Sequence, residues 1–334
     1  MIHIIDASKI LLSLASTALL ATSQVVIGAS PSPFPDISIP FSAHSLGVKN
    51  IFYFRGESGV PDQKNEGFTS NAGFVVTIQG VIVFDALGTP SLGAAMVNEI
   101  RKITDQPITH IVVSHYHADH IYGLQALKVL TGAEVIAQKS THLYTDGRDS
   151  EKRLKQRQQA LAPWVDKTTR VVPPDLAFKD EIILHSGNDR FSIYHAGPAH
   201  APGDSMMMVE PAGVLFAGDI IQSGRVPFLN SPQVDTENWM SAIEKVKKLN
   251  PVVLIPGHGK ASENAMEALN FTYDYLAFVR NKMKAAADNW ISFEDAYRQV
   301  DWSRYEELPA FDASNKGNAY RVFLDMEQKA LVSE

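Results

Sequence analysis

The chain contains no cysteine. That absence excludes disulfides, thiolate nucleophiles, iron–sulfur clusters and every cysteine-ligated zinc motif, so any metal must be held by histidine and carboxylate. Positive charge is also in short supply. Lys and Arg total 30 against 37 Asp and Glu, a net −7, which leaves no general attraction to nucleic acid. Beyond the first 29 residues no apolar run is long enough to span a bilayer. Apolar residues are plentiful, 45 % of 334 positions, enough for one large core or two ordinary ones. Glycine and proline are spread along the chain rather than gathered in a repeat, which rules out a fibrous or disordered protein.

Residues 1–29 read as an export signal. Lys9 gives a weak positive start, Ile10–Ala21 is an apolar run, and small residues follow, with cleavage expected after Ala29 or near Ser23. The competing reading is an uncleaved membrane anchor, but Thr22, Ser23 and Gln24 interrupt its hydrophobicity. A periplasmic or secreted chain with no stable membrane span after cleavage is the expectation. Residues 30–290 are then assigned to one catalytic domain and 291–334 to a C-terminal helical extension.

Strand and helix patterns alternate through that domain. Asn71–Ile78 and Val81–Asp85 are β-branched runs joined at Gln79-Gly80, a hairpin. A helix is predicted over Ser91–Ile103 with Ser91 as its N-cap, a strand over Ile108–Val113, and a helix over Ile121–Leu130. Lys152–Arg157 reads as a solvated helix face. A second block carries strands at Glu181–His185, Phe191–His195, Ser205–Val209 and Val214–Ala217. A helix capped at Asp235 or Thr236 follows, with Met240, Ile243, Val246 and Leu249 turned inward, then a strand at Val252–Ile255. Two such halves, each a mixed sheet covered by helices and packed sheet to sheet, give an α/β four-layer αββα sandwich.

The chemistry is concentrated in Ser114-His-Tyr-His-Ala-Asp-His120, directly after a buried strand. At a strand end His115 and His117 point the same way, because side chains alternate with period two, while the following turn redirects Asp119 and His120. Imidazole with carboxylate suits Zn²⁺, with Fe or Mn as alternatives. Four ligands cannot complete two tetrahedral sites. Three further candidates stand in loops after strands: His200 in a Pro/Gly-rich turn, Asp219 after Val214–Gly218, and His258 in Gly-His-Gly.

These residues, from a strand-end Asp85 through HxHxDH, a lone His, a strand-end Asp and a final His, resemble the metallo-β-lactamase-fold superfamily of binuclear metallohydrolases. The resemblance implies an αββα sandwich with two Zn²⁺ ions at a sheet edge. It implies a first metal held by His115, His117 and His200, a second by Asp119, His120 and His258, Asp219 between them, and Asp85 orienting a ligating His from behind. It also implies a metal-bridging hydroxide attacking an ester, thioester, lactone or lactam, with Asp119 as the catalytic residue that orients it. The net positive site favours a small anionic substrate. Tyr122, Arg225 and Phe228, in loops beside the ligands, are the candidates to line the pocket.

Within the superfamily, Asp219 stands where two lactamase subclasses carry Cys, and the third lacks a bridging Asp. The pattern is similar to the glyoxalase, lactonase and general hydrolase branches. Gln222 stands where homoserine-lactone hydrolases carry Tyr. The alternatives are β-lactamase-like antibiotic hydrolysis, a mononuclear iron persulfide dioxygenase, and a metal-binding module without catalysis. Nothing in the sequence sets the oligomeric state.

Overall fold

Two sheets built from β-branched and aromatic runs organise the computed structural model, which describes residues 32–332. The expected export signal at 1–29 lies outside the described residues. In chain order the first half comprises β1 (His44–Ser45), β2 (Ile51–Phe54), β3 (Ala72–Thr77), β4 (Gly80–Phe84), α1 (Pro90–Ile103), β5 (Ile108–Val112), α2 (Ala118–Ile121), α3 (Leu124–Thr131), β6 (Glu134–Gln138), α4 (His142–Thr145), α5 (Arg148–Ala160) and β7 (Leu176–Phe178). The second half comprises β8 (Glu181–Ser186), β9 (Asp189–His195), β10 (Ser205–Glu210), β11 (Val214–Gln222), α6 (Thr236–Leu249), β12 (Val253–His258), α7 (Ala265–Asp288), α8 (Phe293–Gln299) and α9 (Phe311–Val332).

One sheet runs β1 to β7 in sequence order, and the other runs β12-β11-β10-β9-β8. Both are mixed. β1 to β4 pair antiparallel and β4 to β7 parallel, while β11 pairs parallel with β12 and antiparallel with β10. The inner faces meet through residues such as Phe84 and Phe216, whose ring centroids are 5.4 Å apart. The outer face of the first sheet is covered by α1 to α3, and that of the second by α6 to α9. The result is the expected four-layer αββα sandwich. Each fully buried Phe, Ile or Leu in these layers contributes about 1.5–3 kcal/mol by leaving water.

Several local expectations are corrected. The cap of α1 is Thr89, whose hydroxyl accepts from Leu92 N at 3.1 Å, with Pro90 rather than Ser91 opening the helix. The helix expected over Ile121–Leu130 is interrupted, because Gly123 donates its N–H to Leu87 O instead of along the helix axis. Leu249 is 39 % exposed; Trp239 takes the buried position with Ile243 and Val246. From Phe34 onward the chain forms one compact unit, with α8 and α9 sharing the apolar core of α6 and α7. Among the described residues no helix is long and apolar enough to cross a membrane.

Candidate metal centre

The parallel pairs β4–β5 and β11–β12 bring the C-terminal ends of four strands to one edge of the sandwich. Past β4, Asp85 takes a left-handed φ of 62° while its N–H stays paired to Val112 O. β5 ends at Val112, so His115 and His117 lie in the following loop. Their convergence owes nothing to strand alternation, which corrects that part of the expectation. His117 is the extended residue preceding α2, and α2 carries Asp119 and His120. Asp219 does not end a strand either. β11 continues to Gln222, and register shifts on either side of Gly218 re-aim the Asp219 carboxylate. His258 is the last residue of β12. The neighbouring Gly257 is required by close approach, since a Cβ there would lie 2.0 Å from Asp219 Oδ1.

The seven predicted donors form three overlapping groups: His115–His117–His200, His115–His120–Asp219 and Asp119–His120–His258, each with ligand atoms within 4.8 Å of one another. His117 Nδ1 is 2.8 Å from His200 Nε2, and His200 Nε2 is 3.2 Å from Asp219 Oδ2. Asp219 Oδ1 is 3.2 Å from His120 Nε2. His258 Nε2 is 3.3 Å from Asp219 Oδ2 and 3.4 Å from Asp119 Oδ2. Asp219 thus sits between the two ends of the cluster.

Four imidazoles are locked in the tautomer a metal needs. His115 Nδ1–H donates to Ser114 Oγ at 2.9 Å, His120 Nδ1–H to Asp85 Oδ2 at 2.9 Å, His200 Nδ1–H to Phe228 O at 3.1 Å and His258 Nδ1–H to Thr69 O at 2.7 Å. Each lock leaves Nε2 bare and facing inward. His115 Nε2, His120 Nε2 and Asp219 Oδ1 are buried without any hydrogen-bond partner. Orphaned buried acceptors are costly, and here they face one another. A pair of divalent ions would satisfy all of them, so the donor set fits the metals that the fold implies.

Asp85 anchors this arrangement. Its carboxylate accepts from Ser114 N (2.7 Å), Ser114 Oγ (2.8 Å) and His120 Nδ1. Asparagine offers one oxygen for three donors. We expect Asp85→Asn to weaken zinc binding by about 10–100-fold, measured by competition with a chelating indicator.

Without metal the cluster is strongly polarised. Burial opposes a proton on His120, but Asp219 and Asp85 overcome it and raise its pKa well above the ordinary histidine value. Burial, then the neighbouring His120, holds His115 well below it. Burial and His200 bring His117 down to about 3. For Asp219 and Asp119 burial is outweighed by the surrounding histidines, and both stay below the usual carboxylate range. The signs define a window. His120 stabilises the metal-free fold below about pH 6.5 and loses that contribution as pH rises through its raised pKa. His115 and His117 cost stability as pH falls below about 6.5. Thermal melts of chelator-stripped protein should therefore peak near pH 6.5 and decline toward both sides. Zinc affinity should instead rise with pH above 6.5, because the metal must displace the His120 proton.

The pocket candidates fare differently. Tyr122 is fully buried in the core of the first half. Arg225 is 6 % exposed, with Nη1 3.3 Å from Gly59 O and 3.1 Å from His258 Nδ1. Phe228 packs edge-on against His200, its ring centroid 6.4 Å away. His195, at the end of β9, bonds Asp204 O through Nδ1 at 2.8 Å.

Sequence reasoning missed Ser114, Gln222 and Arg157. Ser114 opens the motif, so its position was a signal; Gln222 is fully buried and donates to Asp219 Oδ2 at 3.2 Å. Arg157 corrects the reading of Lys152–Arg157 as a solvated face. It is partly buried on α5 and close enough to Asp119 for the two charges to interact, and among the described residues its guanidinium has no hydrogen-bond or ion-pair partner. Only its place in a charged run was visible in the sequence.

An αββα sandwich with overlapping groups of histidine and carboxylate donors at one sheet edge is the arrangement of a candidate metal centre. The family described as Metallo-beta-lactamase superfamily matches residues 65–258, more than half of the chain, and the chain belongs to that superfamily. Among curated relatives, the linear primary-alkylsulfatase of Pseudomonas sp. (strain ATCC 19151) is 23 % identical over 239 residues, 61 % of this chain and 44 % of that protein. The chain spans less than half of that relative's length. The metallo-beta-lactamase type 2 of Bacillus sp. (strain 170) is 23 % identical over 227 residues, 67 % of this chain and 76 % of that one. Solved structures share the fold. A sec-alkylsulfatase from Pseudomonas sp. aligns with a TM-score of 0.67 at 17 % identity, covering 87 % of this chain and 50 % of that one. A metallo-beta-lactamase from Pontibacter korlensis aligns at 0.57 and 16 % identity, covering 71 % of this chain and 99 % of that one.

Proposed function

We propose that the chain is an exported binuclear zinc hydrolase that cleaves an ester, thioester, lactone or lactam in a small anionic substrate. The observation that carries the reading is the convergence of seven donors into three groups that overlap at His115 and His120, with buried acceptors facing inward that have no hydrogen-bond partner among the described residues. His115, His117 and His200 would hold the first ion, Asp119, His120 and His258 the second, and Asp219 both. Bound there, zinc supplies Lewis acidity and water acidified to a pKa of about 7.

The protein's own groups do the rest. Asp119, with 20 % of its side chain exposed, is the acid–base residue that reaches solvent, placed to hold a proton at Oδ2 and pass it to the leaving atom. Asp85, Ser114, Thr69 and Phe228 keep the imidazoles oriented with Nε2 facing the cluster. Arg157 and Arg225 add positive charge within reach of Asp119, which favours an anionic group on the substrate.

A sulfate ester is the second reading. The likeness to alkylsulfatases favours it, as does the Arg157 guanidinium, which has no ion-pair partner among the described residues, since a planar fork of N–H donors suits a sulfate or carboxylate. The test is metal analysis of the purified protein together with zinc- and iron-reconstituted turnover on carboxylic esters, lactams and alkyl sulfates. Near two zinc per chain with hydrolysis supports the reading, whereas one iron per chain without hydrolysis overturns it. Arg157→Gln should raise KM about tenfold for an anionic ester, one charge-assisted contact, and leave a neutral ester unchanged. Export is tested by N-terminal sequencing of the periplasmic or secreted protein, with a new terminus near residue 30 expected.

A further inference from the structure

In the segment between Asp219 and α6, a single carbonyl orients the His200 ring. Phe228 O accepts His200 Nδ1–H at 3.1 Å, which fixes the ring plane and leaves Nε2 free. What holds Phe228 in place is the C-terminal part of the chain. Asn318, fully buried on α9, brackets this residue: its Nδ2 donates to Pro227 O at 2.7 Å, and its Oδ1 accepts from Leu229 N at 2.8 Å. Val226 N donates to Pro309 O at 3.0 Å, just before α9. Arg321, one turn further along α9, donates to Ser231 O and Pro232 O, both at 3.3 Å. Five backbone groups either side of Phe228 are thus held by residues 309–321.

We propose that α9 is a positioning element of the first metal site, acting through Asn318 on the Phe228 carbonyl and thereby on His200. This rests on His115, His117 and His200 forming that site. Asn318 lies well beyond the matched family segment, which ends at residue 258, so the clamp is a feature of this chain's C-terminal region. The physical basis is exclusivity. An amide that donates to one carbonyl and accepts from the next N–H but one pins a residue from both sides, and both bonds are buried, where a lost partner is most costly. A carbonyl displaced by a few tenths of an ångström frees the His200 ring to rotate away from its co-ligands.

The Asn318 side chain makes a third bond that separates positioning from stability: its Nδ2 also donates to Tyr275 OH at 2.9 Å, away from the loop. Asn318→Ala should weaken one of two zinc ions by about tenfold, the low end for an orienting partner, in competition with a chelating indicator. Tyr275→Phe should lower the melting temperature yet leave zinc affinity unchanged. Equal loss of affinity in both variants, or none in Asn318→Ala, would overturn the proposal. A measurement on the unmodified protein covers the case in which Asn318→Ala fails to fold. Because coupling is reciprocal, zinc loading should slow hydrogen exchange of the Leu229 amide, and an unchanged rate refutes the clamp. Failure of the unmodified protein to bind zinc at all would instead sink the metal assignment itself.

Discussion

Asp219→Ala should leave the purified protein with at most one tightly held divalent ion per chain and reduce hydrolysis by about 10³-fold or more. Among the described residues Asp219 is the donor that reaches both ends of the cluster, with Oδ1 toward His120 and Oδ2 toward His200 and His258. Its loss removes the carboxylate proposed to serve both ions and leaves Asp119, 3.4 Å from His258 and 3.9 Å from His120, as the remaining anion beside these imidazoles. Several kcal/mol of transition-state stabilisation depend on the ions being in place, and each 1.36 kcal/mol is tenfold in rate. Metal content by emission spectroscopy and steady-state turnover check the two halves separately. Full zinc content with unimpaired turnover would refute the bridging role. The fold should survive, because Asp219 is surrounded by acceptors and cations rather than by apolar core.

Asp119→Ala is the second large effect and should differ in kind. Asp119 stands at the N-terminus of the short helix α2, and its backbone carbonyl, not its carboxylate, is tied to the Ser70 hydroxyl. The side chain can therefore be removed without breaking the local fold. Among the described residues its carboxylate pairs with His258 at 3.4 Å and His120 at 3.9 Å. We expect turnover on an activated ester to fall by about 10²–10⁴-fold, the range for a lost acid–base group, while His115, His117, His200 and Asp219 still hold one ion. If turnover persists with two ions bound, the proton-transfer role belongs to another group. Asp119→Asn, which keeps an oxygen ligand but cannot carry the proton, separates metal binding from acid–base work.

Much of the centre was readable because its donors are rare and clustered. Four of the seven ligands fall within Ser114–His120, and a chain without cysteine has few other ways to hold a metal. The remaining three were found because each follows a strand pattern in a glycine-bearing turn. Their placement was less well read. Period-two alternation was invoked for His115 and His117, yet β5 stops at Val112 and the loop bends both rings inward. Asp219 was taken for a strand end, yet it lies inside β11, re-aimed by irregular pairing around Gly218. Such pairing depends on what β11 meets across the sheet, and no local pattern encodes it.

By itself, the order of residues determined the element types, the layered class of fold and which histidines and carboxylates are the candidate ligands. Those follow from hydrophobic period and from side-chain chemistry, both local properties. Only the tertiary structure decided which groups stand behind the ligands: Asp85 for His120, Thr69 for His258, Phe228 for His200, and Asn318 behind Phe228. It also drew Arg157 out of an ordinary charged helix to a place beside Asp119. Hydrogen bonds and ion–ion contacts act over a few ångströms in space whatever the separation along the chain. Partners as much as 189 residues apart, as Thr69 and His258 are, are defined when the sheets close on one another.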